Sequence, residues 1–154
     1  MLSADARQTI EALKAEYETS KSALLPALHV AQQDQGWLSE ETQLEVASLL
    51  GLTPQAVREV VTFYSMVHQK PVGRHLLQVC RNISCWLHGG HSLQRQIEDR
   101  LEIKEGETTP DGRFTVASVE CLGSCGTAPV MMVNERYYEG LTPEAVDRLL
   151  EELK

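Results

Sequence analysis

The sequence predicts an α+β protein in two parts: an N-terminal helical bundle over residues 1–70, then a mixed strand and helix domain over residues 71–154. Three observations predict it. Apolar residues recur at helical spacing through the first seventy positions, with Ser, Thr and Gly at the ends of the runs. Lys70-Pro71-Val72-Gly73 interrupts that pattern with a proline and a glycine. Beyond it, apolar runs of strand length appear before helical spacing returns.

The elements follow in order. Ser3 caps a helix with Ala6, Ile10, Leu13 and Tyr17 on one face. Ser22 is the expected cap of a second helix, with Leu25, Leu28 and Ala31 inward, Pro26 near its first turn and Gly36 as its stop. Ser39, followed by Glu40 and Glu41, opens a third that turns Leu44, Ala47 and Leu50 inward and ends at Gly51. Thr53-Pro54 opens a fourth with Val57, Val60 and Val61 as its apolar side. Four such helices pack as a small bundle. Residues 74–80 then read as a buried strand and 90–100 as a helix with Leu93, Ile97 and Leu101 in phase. Residues 113–121 alternate with period two around Phe114 and Val116. Residues 129–133 and 136–138 read as short strands joined by a hairpin at Asn134-Glu135, and Thr142-Pro143 opens a last helix. The near-identical Leu-Thr-Pro-Gln-Ala-Val at 52–57 and Leu-Thr-Pro-Glu-Ala-Val at 141–146 are one helix-start solution used twice, since their flanks differ.

Composition narrows the function. The 154 residues are 42% hydrophobic and 23% charged, a globular balance, and only 5% aromatic, so the core is mainly aliphatic. The net charge of −8 is shared evenly by the two parts and opposes a phosphate-binding surface. No apolar run approaches a membrane span. The N-terminus lacks the basic and apolar regions of a secretory signal, and Asp5 and Glu11 read against a transit peptide. The chain reads as cytoplasmic, where thiols stay reduced.

All four cysteines lie in the second part, as Cys80 and Cys85 (C-x4-C) and Cys121 and Cys125 (C-x3-C). Each pair starts where an expected strand ends and enters a loop with Gly or Ser. Two such loops at one sheet edge would bring four thiols together, and four thiolates enclose zinc or an iron–sulfur cluster. Two disulfides fit the cytoplasmic reading poorly. Zinc stays open, although structural zinc sites favour C-x2-C knuckles, and these wider spacings suit a group with two metals. A Rieske centre needs two histidine ligands; His88 and His91 follow Cys85, but the second pair has no matching histidine. No C-x-x-C is present for a dithiol enzyme. The small residues of Cys121-Leu122-Gly123-Ser124-Cys125-Gly126 let backbone N–H groups approach sulfur, and Ser84 is a further hydroxyl donor. Arg81 offsets charge or is a solvated surface residue; Trp86 shields the site or simply packs. No side chain is required as acid, base or nucleophile, and His29, His68 and His75 read as packing or surface residues.

These residues carry a resemblance. Val61 to Ser65, Pro71 to His75, Cys80 to Cys85, Thr108 to Phe114, Cys121 to Cys125, Ala128-Pro129 and Gln35 to Leu38 together resemble the thioredoxin-like [2Fe–2S] ferredoxins, and within them the NuoE-type subunits of respiratory complex I. The likeness runs from about residue 20 to the end. It implies a thioredoxin-like second domain and one [2Fe–2S] cluster on Cys80, Cys85, Cys121 and Cys125. It also implies a NuoF-type flavoprotein partner that carries FMN and a [4Fe–4S] cluster and oxidises NADH, within a complex on the cytoplasmic face of the inner membrane. This chain has no G-x-G-x-x-G after a strand, so FMN and NADH are expected on the partner. His88-Gly89-Gly90 departs from the usual family pattern. The expected function is an electron-transfer subunit of NADH:quinone oxidoreductase. The same module serves NAD-dependent formate dehydrogenases and NAD(P)-linked hydrogenases, and a zinc-stabilised interaction module is the reading from another class. Phe63 and Tyr64 are the expected contacts with the partner.

Overall fold

In a computed structural model that describes residues 1–153, the chain divides into two units, Met1–Pro71 and a second that begins at Val72. Among the described residues, no helix is long and apolar enough to cross a membrane.

The first unit is four helices: α1 (Ala4–Glu16), α2 (Leu24–Gln35), α3 (Glu40–Leu50) and α4 (Pro54–Phe63). Ser3, Ser39 and Thr53 each accept the N–H three residues on, which satisfies a donor that the helix itself leaves free. Gly36 and Gly51 end α2 and α3 in the left-handed region, at φ of +79° and +66°, where a side chain is strained. Three expectations are corrected. Ser22 does not cap α2; its hydroxyl lies 2.8 Å from that of Thr19 in the preceding turn, and Ala23 occupies the cap position. Leu44 is 54% exposed, because α3 buries the stripe of Val46, Ala47 and Leu50 with Thr42 and Gln43 instead. Tyr17 falls beyond α1 and is exposed, leaving Ala6 and Ile10 as the buried face. Polar groups close the bundle: the buried Gln43 amide donates to the Leu38 carbonyl at 2.9 Å, and Gln32 donates to the Met66 carbonyl at 3.0 Å.

The second unit is a four-stranded sheet of β1 (His75–Cys80), β2 (Phe114–Val119), β3 (Met131–Val133) and β4 (Arg136–Tyr138), in the order β2-β1-β3-β4. β1 and β2 run parallel, in register from His75 opposite Phe114 to Cys80 opposite Val119. The β1–β3 and β3–β4 pairs are antiparallel. A parallel pair needs a crossover, which the segment containing α6 (Gly90–Leu101) supplies. α6 and α7 (Pro143–Glu152) pack together, and Leu93, Ile97, Val146 and Leu149 join Leu77, Phe114 and Met131 in one core. Phe114 is fully buried, a contribution of about 1.5–3 kcal/mol. Gly73 is required where the chain enters β1, since a Cβ there would sit 2.8 Å from the Phe114 backbone. Two short elements were not expected from the sequence: α5 (Ile83–Leu87) and a 3₁₀ turn at Cys125–Thr127. β2 also stops at Val119, two residues before Cys121, and β3 starts only at Met131.

Candidate metal centre

Parallel pairing of β1 with β2 makes the site. Both strands point the same way, so Cys80 at the end of β1 and Cys121 just past the end of β2 leave the sheet at one edge. Cys85 returns toward Cys80 on α5, and Cys125 opens the 3₁₀ turn. α6 begins hard against the first pair: a Cβ on Gly90 would lie 2.8 Å from the Cys85 carbonyl oxygen and 3.2 Å from that of Cys80. The departure at His88-Gly89-Gly90 therefore lies where helix and cysteine backbone are in tightest approach.

The thiols form two pairs. Cys121 and Cys125 Sγ are 3.8 Å apart, the separation of two sulfurs bound at about 2.3 Å to one tetrahedral metal. The Cys80 thiol lies close enough to oppose ionisation of Cys85, donates to the Glu120 carbonyl at 3.5 Å, and is also within electrostatic reach of Cys125. All four thiols are free of disulfides. Among the described residues, no three His, Cys, Asp or Glu side chains are grouped as one ion would require.

The pairs differ in their surroundings. Cys80 and Cys85 are buried with Val130, with Leu122 and Ala128 packed against them, whereas Cys121 and Cys125 are exposed. Burial, then the Cys80 thiol beside it, pushes the Cys85 thiol up to about 11. The Cys121 thiol next to Cys125 raises the Cys125 value as well. Crowded thiols oppose one another's ionisation, so four thiolates here demand a cationic centre. A backbone N–H approaches one of the sulfurs, in line with the small-residue loop: Gly123 N–H reaches Cys121 Sγ at 3.4 Å.

Three expected neighbours take other roles. Ser84 Oγ donates to the Cys125 carbonyl at 2.8 Å, so it ties α5 to the second loop and does not address a sulfur. Arg81 is exposed and paired with Glu120, which lowers the Glu120 carboxyl below its usual value. Trp86 is 57% exposed, beside Ile83 and Leu87 at 65% and 67%, so it does not pack in the core. Sequence reasoning missed Glu120 and Glu139. Glu139 accepts from Ser124 and Thr127, and those hydroxyls hold its carboxyl below the usual range. No local pattern links positions so far apart.

The chemistry of the donor set fits a two-iron cluster: four thiols in two pairs, one at the spacing of a shared metal, with an N–H donor on the Cys121 sulfur. Known proteins agree with the fold. The chain is 45% identical over 148 residues to an NADH-quinone oxidoreductase subunit of Rhizobium meliloti, covering 96% of this chain and 88% of that one. It is 40% identical over 153 residues to the corresponding NADH-quinone oxidoreductase subunit of Escherichia coli, covering 99% and 92%. Among solved structures, it aligns with part of an air-oxidized NAD+-reducing [NiFe]-hydrogenase at a TM-score of 0.76 and 25% identity, over 84% of this chain and 22% of that much longer one. The description of the thioredoxin-like [2Fe–2S] ferredoxins matches residues 10–154, and with these cysteines at one sheet edge the chain belongs to that family.

Proposed function

We propose that this chain is an electron-transfer subunit of NADH:quinone oxidoreductase, carrying one [2Fe–2S] cluster on Cys80, Cys85, Cys121 and Cys125. The observation that carries the reading is the delivery of two thiol pairs to one sheet edge by parallel β1 and β2. Relatives that are subunits of NADH-quinone oxidoreductases, matched over nearly their whole length, support the parent complex. The cluster supplies storage of a single electron between a two-electron hydride donor and one-electron carriers.

This chain's residues do the rest. Four thiolates hold the irons, and burial of Cys80 and Cys85 keeps water from that side. The Gly123 N–H disperses negative charge on the Cys121 sulfur. FMN and NADH belong to a NuoF-type flavoprotein partner, and the assembly sits on the cytoplasmic face of the membrane without inserting this chain. The helical unit and the ferredoxin unit act as two domains joined near residues 70–72. Phe63, 79% exposed, and Tyr64 beside it are the partner contacts of the helical unit. A second reading is the equivalent subunit of an NAD-linked hydrogenase, favoured by the alignment with the hydrogenase chain.

The deciding experiment is iron and acid-labile sulfide content of anaerobically purified protein, with EPR before and after dithionite. The proposal expects about two irons and two sulfides, silent when oxidised and S = 1/2 when reduced. One zinc and no sulfide after anaerobic reconstitution would instead establish a metal-stapled binding module. Co-purification with NADH-dependent quinone reduction, against hydrogen-dependent NAD reduction, separates the two parent complexes.

A further inference from the structure

The exposed thiol pair lies on a segment with little packing to hold it. Cys121, Gly123, Cys125, Gly126 and Thr127 are exposed, and a Cβ added at Gly123 or Gly126 would meet nothing within 4 Å. Ligation nevertheless needs both sulfurs in fixed geometry. The segment just past β4 supplies the constraint. Oε1 of Glu139 accepts hydrogen bonds from the Ser124 hydroxyl and, at 2.7 Å, from the Thr127 hydroxyl. The next residue adds a backbone bond, Gly140 N–H to the Thr127 carbonyl at 2.7 Å, and Leu141 N–H reaches the Pro129 carbonyl at 3.1 Å. One carboxylate oxygen thus fastens the residues on either side of Cys125 and Gly126 to the sheet.

We propose that Glu139 is a positioning residue for the metal centre, its carboxylate holding the turn that carries Cys125 so that Cys121 and Cys125 stay at the spacing of a shared metal. This rests on the [2Fe–2S] reading for its consequence, and on the hydrogen bonds alone for its geometry. A carboxylate oxygen has lone pairs for both hydroxyls at once, and so has the amide oxygen of a glutamine. Glu139 touches no sulfur; it acts through Ser124 and Thr127.

Three variants test it. Glu139→Ala removes the acceptor. Glu139→Gln keeps an amide oxygen for both hydroxyls and removes the charge. Glu135→Ala takes a carboxylate from the exposed β3–β4 turn as a control for charge alone. In the iron-loaded chain, Glu139→Ala is expected to lose iron to a chelator about fivefold faster, the size of losing one ordinary hydrogen bond, because water screens both bonds to this exposed carboxylate. The g-values of its reduced EPR signal shift, while Glu139→Gln and Glu135→Ala stay close to the parent. In the metal-free chain, phenylarsine oxide, which bridges two neighbouring thiols, is captured more slowly by Cys121 and Cys125 in Glu139→Ala alone. Parent-like iron loss, EPR and arsenical capture in Glu139→Ala would overturn the proposal, and so would failure of Glu139→Gln to restore them. A parent chain without iron and sulfide defeats the cluster reading, and the arsenical result then still decides the role of Glu139.

Discussion

The two cysteine pairs have the same chemistry and opposite supports. Cys80 ends a central strand, and Cys85 sits on a helix pressed against the start of α6; both are buried among Val130, Leu122 and Ala128. Cys121 and Cys125 lie in exposed turns held by Ser84, Glu139 and backbone bonds. Packing fixes the first pair and polar contacts fix the second. A centre built this way has one side sealed into the core and another open to solvent. A site therefore need not be rigid throughout to be precise: one half can be cast with the fold and the other tied to it.

The largest effect expected from this contrast comes from removing one ligand of each pair. Cys85→Ala and Cys121→Ala should both abolish the two-iron, two-sulfide content. Their metal-free chains should differ. Cys85→Ala leaves a void in packed surroundings and costs about 1–2 kcal/mol. Cys121→Ala removes an exposed side chain and shifts stability by no more than about 0.5 kcal/mol. Denaturant unfolding of both metal-free variants measures this. Equal losses would erase the contrast between the pairs.

Ser84 comes next, because it is the direct tie between the halves. Ser84→Ala removes the hydroxyl that meets the Cys125 carbonyl, about 0.5–1.5 kcal/mol for an ordinary hydrogen bond. The loss should appear in the loaded protein as faster iron release. Unaltered release would show that the second loop needs no tie to α5.

Much of this was legible in the sequence, and the failures are instructive. The four helices of the first unit and their caps at Ser3, Ser39 and Thr53 follow from local chemistry, as do the stops at Gly36 and Gly51. Ser22 failed as a cap because its hydroxyl is engaged with Thr19. Leu44 failed as a core residue because apolar spacing fits two stripes of α3, and packing selects the one with Val46. α5 escaped notice because five residues are too few to show a helical period. The cysteines and their link to strand ends could be read directly. What joins them could not: Ser84 with Cys125 and Arg81 with Glu120 are each about forty residues apart, and tertiary contacts of that kind leave no local pattern.

The smallest structural effect, and the sharpest test of sign, concerns the Arg81–Glu120 pair. Arg81 follows the first ligand of the buried pair, and Glu120 precedes the first ligand of the exposed pair, so this ion pair spans the two exits from the sheet. Both side chains are mostly exposed, at 58% and 74%, and exposed pairs contribute little to stability. Neither Arg81→Gln nor Glu120→Gln should move the melting temperature measurably. Reduction, however, adds a negative charge at the centre. Removing Arg81 leaves Glu120 uncompensated beside it, which disfavours the reduced form and lowers the midpoint potential. Removing Glu120 leaves the arginine uncompensated and raises it. Added salt should shrink both shifts, since the pair is open to solvent. Potentiometric EPR titration of the two variants at low and high salt reads this directly. Shifts of the same sign would mean that the substitutions act by disturbing the loops, and the division into a cast half and a tied half would then have to include this ion pair among the ties.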